Sequence, residues 1–105
     1  YDSSHHKLYC NWAQVDFYEQ LQVALPYIRH IHLSDGAGLD GEGLQIGEGA
    51  IDWVRFFKVL GSHENGALYR QTMIPEIWRG HQRQGEGFLI AIQRLSEAYH
   101  KAQGQ

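Results

Sequence analysis

With 105 residues, 43% of them hydrophobic and 20% charged, the chain has an ordinary soluble globular composition and the length of one small domain or part of a larger one. A formal net charge of -3, with seven histidines counted neutral, excludes the basic stripe of a nucleic-acid groove, and no apolar run is long enough to span a bilayer. The one cysteine, Cys10, excludes an internal disulfide and a cysteine-based zinc site, as expected in a reducing, cytoplasmic compartment.

The chain opens on Tyr1-Asp2-Ser3-Ser4, without a methionine or a basic-then-apolar leader, so a fragment or processed product is expected. Residues 1–10 are polar and short, and a solvated, frayed terminus is the favoured reading, although Asp2 and His5 stand three apart within it. Asn11 reads as a helix cap, with Gln14 three residues later as in a capping box. Val15, Tyr18, Leu21 and Leu25 recur at helical spacing, and Pro26 ends that helix at Leu25.

Tyr27 to Leu33 reads as a strand, with Ile28, His30 and His32 on one face and Ile31 and Leu33 on the other. Gly36, Gly38, Gly41, Gly43, Gly47 and Gly49 then crowd a long loop. A loop of that length in a compact domain is usually functional, and Leu39, Leu44 and Ile46 argue against a free linker. Asp52 opens the next helix, whose buried face is Ile51, Val54, Phe57 and Leu60. A turn is expected over 61–66, with His63 solvated and a reversal at Asn65-Gly66. Ala67 to Trp78 reads as a second strand in which Thr72, Ile74 and Glu76 share a face; Pro75, lacking an amide donor, marks its end. A loop containing Arg79 and His81 leads to a helix from about Gly87 to Ala102, with Phe88, Ile92, Leu95 and Tyr99 as its apolar stripe.

Strands alternating with helices predict βα units and a parallel sheet. Asp2, His32 and Glu76 then fall at the carboxyl ends of three successive strands. Two carboxylates and an imidazole suit a hard or borderline divalent ion, Mn²⁺, Mg²⁺, Co²⁺ or Zn²⁺. A salt-bridged structural role for Glu76 and a hydrogen-bonded structural role for either histidine are the plain alternatives.

Four short motifs now stand in order: D-x-x-H at Asp2–His5, H-x-H-x-x-D at His30–Asp35, I-G-E-G-x-I-D at Ile46–Asp52 and P-E at Pro75–Glu76. Together they resemble the last part of a xylose-isomerase-like TIM barrel, a superfamily of sugar and sugar-phosphate isomerases and epimerases, inosose dehydratases and apurinic endonucleases. The resemblance implies an α/β fold, the carboxyl-terminal part of a (β/α)₈ barrel. It would hold the tip of strand six and strands seven and eight with their helices. A full barrel takes about 250 residues, so the remainder would lie upstream.

By resemblance to the ketose 3-epimerases of this superfamily, Asp2, His32 and Glu76 are metal ligands and His5 contacts the substrate. Glu76 is also the catalytic acid–base group in a proton transfer through an enediolate. The first glutamate of that set has no match in this sequence. Those epimerases also carry an arginine shortly after the metal histidine, where Gly36 to Leu39 offers none; Arg79 or His81 is the substitute suggested by position. The implied partner is a small sugar or sugar phosphate, with no nucleic acid and no membrane.

Two other readings follow from resemblance. SDGAGLDGEGLQIGEG and IPEIWRGHQRQGEGF are similar to a barrel module at the carboxyl end of some sialic-acid-synthase-like proteins. That would make the chain a sugar-binding or structural partner of a synthase domain. Apurinic endonucleases carry an Asp-x-His pair where this chain has Gly41 and Gly43, which makes a nuclease the weakest of the three.

Overall fold

The structure is a computed structural model that describes residues 1–61 and 71–104. The turn expected around His63 and Asn65-Gly66, and the start of the strand expected from Ala67, lie outside these residues.

The amino-terminal residues are built into the fold, contrary to the frayed end expected of them. Helix α1 runs Ser3–Ala13, and the Asp2 side chain caps it by accepting the His5 amide at 2.9 Å. Ser3 and Ser4 are buried. Polarity misleads here because each serine hydroxyl has a backbone partner far along the chain. The Ser3 hydroxyl donates to the Ser34 carbonyl at 2.7 Å and accepts the Ser34 amide at 3.1 Å, while Ser4 Oγ accepts the Gly43 amide at 2.9 Å.

The single helix expected from Asn11 to Leu25 is divided. Gln14 adopts a left-handed conformation (φ 57°) that stops α1, and Asp16 caps a new helix, α2 at Phe17–Ala24, through the Glu19 amide. Asn11 therefore lies inside α1, where its side-chain amide donates to the Gly38 carbonyl at 2.8 Å. Val15 falls in the break and is exposed, whereas Phe17 and Leu21 are buried. A 3₁₀ turn at Leu25–Tyr27 delivers the chain to β1, His30–Leu33, a shorter strand than expected.

Strand β1 pairs in parallel with β4, Thr72–Pro75, His32 standing opposite Ile74 and Leu33 opposite Pro75. On its other side the strand tip at Tyr1–Asp2 joins it: the His32 amide donates to the Tyr1 carbonyl at 2.8 Å, and Asp2 bridges His32 in parallel. Three chain segments thus lie side by side and point the same way. The Glu76 amide donates to the Leu33 carbonyl at 2.9 Å, which ends the ladder just past Pro75.

The glycine-rich stretch is more ordered than a loop. It holds an antiparallel hairpin, β2 at Asp35–Ala37 with β3 at Gly41–Leu44. Helix α3, Trp53–Gly61, buries Trp53, Phe56, Phe57 and Leu60, the i, i+3, i+4, i+7 face of an amphipathic helix. The expected face had Val54 in place of Trp53 and Phe56. Helix α4 spans Gln82–Ala102, but Arg83, Gln84 and Gly85 have left-handed backbones, so its regular part starts after Gly85, close to the expected start. Its buried line is Ala91, Leu95 and Ala98; Ile92 and Tyr99, expected inside, are largely exposed. Small side chains on that line let α4 lie close to α3, where Phe57 meets Tyr99 edge to face at 5.7 Å.

Phe17, Leu21, Ile31, Ile46 and Phe56 form the most deeply buried part of the core, drawing α2, β1, the segment after β3 and α3 together. Burying each such side chain contributes about 1.5–3 kcal/mol.

Candidate active site

A cleft of about 500 Å³ opens at the carboxyl ends of the parallel segments. Asp2, His5, Glu76, Arg79 and His81, five of the six residues singled out in the sequence, line it. His32, the sixth, is bonded through Nδ1 to Glu76 Oε2 and so stands directly behind the wall. The cause is topological. Parallel neighbours end on one side of a sheet, and the residues just past their ends share one surface.

Each side chain has a local reason for its position. Asp2 caps α1 with one carboxylate oxygen, and the other lies 3.6 Å from His5 Nδ1. His32 alternates outward from Ile31 and Leu33, which are buried. His30, two residues earlier on the same face, binds Thr72 Oγ1 at 2.7 Å through Nδ1 and meets the His32 ring edge-on at 4.9 Å. It supports His32 from behind. Arg79 and His81 sit on the turns that follow Glu76.

Three contributors were not singled out in the sequence. Glu42, on β3, holds His5 Nε2 through Oε2 at 2.7 Å and lines the cleft. Trp78 lines it too, its amide donating to the Gly43 carbonyl at 2.9 Å. Asp35 is the third, and it works from below. Fully buried, it accepts the amides of Gly36 (2.9 Å) and Ile51 (3.0 Å) on Oδ1, and the Gly47 amide (2.9 Å) and Trp53 Nε1 (3.0 Å) on Oδ2. A carboxylate with four donors is fully satisfied and fixes the loop that carries β3. The signal for Asp35 was its place after H-x-H, followed by glycines. For Glu42 it was an acid held between two glycines.

Beside the cleft, the Tyr1 hydroxyl is 2.5 Å from His6 Nδ1. Burial, with Cys10 and Asp2 adding to it, holds the Tyr1 phenol well above its ordinary range, and burial pushes the His6 imidazole down. The pair is therefore neutral and joined by one hydrogen bond.

The donor chemistry and the strand placement of Asp2, His32 and Glu76 suit a divalent ion. Their side-chain arrangement is less closed: among the described residues, no group of three or more His, Cys, Asp or Glu is drawn together to hold a metal. No helix among the described residues is long and apolar enough to cross a membrane.

A family model described as xylose isomerase-like TIM barrel matches residues 1–98. No curated protein and no solved structure matches the chain.

Proposed function

Because the chain belongs to the xylose isomerase-like TIM barrel family, whose model matches residues 1–98, we propose that it forms the carboxyl-terminal wall of a (β/α)₈ barrel that isomerises or epimerises a sugar with the help of one divalent metal. The observation that carries this reading is the meeting of Asp2, the His32–Glu76 pair, His5 and Arg79 at the carboxyl ends of adjacent parallel segments.

Asp2, His32 and Glu76 would hold the ion, together with donors outside this chain. When bound, such an ion polarises neighbouring carbonyl and hydroxyl oxygens of an open-chain sugar. The chain's own part is proton transfer and orientation. Glu76 removes or returns the proton on one face of the carbon beside the carbonyl, the enediolate lying between the two steps, and a group outside this chain serves the opposite face; a positioned group of this kind contributes about 10²–10⁴-fold. His32, bonded to Glu76, fixes the direction of that carboxylate. His5, held by Glu42, orients the hydroxyl groups, and Arg79 and His81 contact the substrate from the rim.

The test uses the full-length protein and a panel of aldoses, ketoses and their phosphates, with Mn²⁺, Mg²⁺, Co²⁺ or Zn²⁺ supplied and then removed by chelation. The expected result is isomer formation with uptake of solvent deuterium at carbon, lost on chelation. If His32→Ala and Glu76→Gln both keep full activity, the proposed site is wrong.

A further inference from the structure

We propose that the loop after β4 makes the cleft selective for an anion, with Arg79 as the receptor and Trp78 as the residue that positions it. The substrate would then be a sugar carrying a phosphate or carboxylate group rather than a neutral one. This rests on the proposed sugar site and names its substrate class.

The first support is that Arg79 is held but not paired. Its guanidinium lies over the Trp78 ring, 4.1 Å from the centroid. Among the described residues no carboxylate pairs with it, although Asp2, Glu42 and Glu76 line the same cleft. Arg83 and Arg94 by contrast face Glu86 and Glu48 at 3.7 and 3.1 Å. A guanidinium stacked by its face keeps its N–H edge free, and that planar edge matches the oxygens of a phosphate or carboxylate.

The second support is rigidity. The Trp78 amide is tied to Gly43, the Gly80 amide donates to the Ile77 carbonyl at 2.9 Å, and the Gln82 amide donates to the Arg79 carbonyl at 3.1 Å. Gly80 is buried so tightly that an added Cβ would lie 2.7 Å from the Phe88 ring. Within these turns Arg79 takes a left-handed backbone, φ 60°, which a side-chain-bearing residue adopts at a cost.

The third support is charge order. Asp2 and Glu76 stand at the strand ends and Glu42 on the hairpin, while Arg79 stands at the rim and also borders a second hollow of about 220 Å³ with Gln82, Arg83 and Glu86, the last of which faces Arg83. A ligand matching that order presents hydroxyls to the strand ends and an anion to the rim.

The test measures direct binding to the full-length protein by calorimetry, with three ligands on one carbon skeleton: the neutral sugar, its terminal phosphate ester and the corresponding sugar acid. Inorganic phosphate serves as competitor. One anionic form should bind at least tenfold tighter than the neutral sugar, with the advantage shrinking as salt rises. Preference for the ester identifies phosphate as the recognised group, and preference for the acid identifies carboxylate. Arg79→Gln and Trp78→Leu should bring the anionic-to-neutral ratio towards one, and Trp78→Phe should restore most of it. Equal binding of all three ligands, or an Arg79→Gln ratio unchanged from the parent, would overturn the proposal. Since binding needs no turnover, anion preference without isomerisation would sink the proposed reaction alone. Turnover of sugars without anion preference would sink this inference alone.

Discussion

The buried carboxylate of Asp35 accepts the indole N–H of Trp53 at 3.0 Å, eighteen residues further along the chain. With the amides of Gly36, Gly47 and Ile51 on the same side chain, one residue closes the whole segment between β1 and α3. Gly49 passes so near that an added Cβ would lie 2.5 Å from Asp35 Oδ1. The glycines of I-G-E-G allow the backbone to wrap a carboxylate of the chain itself.

Asp35→Asn replaces one acceptor oxygen with a donor and turns it towards two N–H groups. A buried donor left unpaired costs about 1–3 kcal/mol, so urea unfolding should show a loss of at least about 2 kcal/mol. A variant within about 0.5 kcal/mol of the parent, the range of an ordinary surface change, would mean that other contacts hold the loop.

His32→Ala and Glu76→Gln should separate chemistry from stability. Their side chains are 40% and 57% exposed, so the melting temperature should change little in either variant. Sugar turnover by the full-length protein should fall about 10²–10⁴-fold, the usual worth of a positioned acid–base group. Steady-state rates measured beside thermal melts check both halves.

Much of this arrangement was legible because it depends on short-range pattern. Alternation put His30 and His32 on one face, and Pro75 marked the end of β4. What pattern did not reveal was partnership across the chain. Ser3 and Ser4 look like solvent-facing residues until Ser34 and Gly43 are placed opposite them. Asn11 and Gln14 imitate a capping box, but Asp16 caps the helix that forms, and no local propensity decides between them. Glu42 and Trp78 reach the cleft only because the glycine-rich stretch folds into a hairpin and binds the end of β4. On α4 the larger Ile92 and Tyr99 suggested the buried face, whereas close packing selects Ala91 and Ala98.

Acid should destabilise the chain through His6. Burial lowers its pKa in the folded state, so the unfolded chain binds a proton first as pH falls. The stabilisation from a neutral His6 is complete above the unfolded pKa of about 6.5. It declines below that value and is lost as pH falls through the folded pKa. Melts at falling pH should show this loss, and His6→Gln, which cannot be protonated, should flatten the profile in that window. An unaltered slope in His6→Gln would assign the acid sensitivity to other groups.

Gly43 offers a way to disturb the cleft without touching a charged group. Its φ of +65° is left-handed, and an added Cβ would sit 3.5 Å from Trp78 Cβ, an ordinary contact. Gly43→Ala therefore costs chiefly backbone strain, about 1–2 kcal/mol. Relief of that strain would pull the Gly43 amide from Ser4 Oγ and its carbonyl from the Trp78 amide. Those two bonds set the spacing between the hairpin and the loop after β4, so the opposed walls of the cleft should loosen. Glu76, the proposed proton-transfer group, and His32, which orients it, lie outside the disturbed bonds, and KM should therefore rise several-fold with a smaller change in kcat. A fall in kcat with KM unchanged would instead place the hairpin in the chemical step itself.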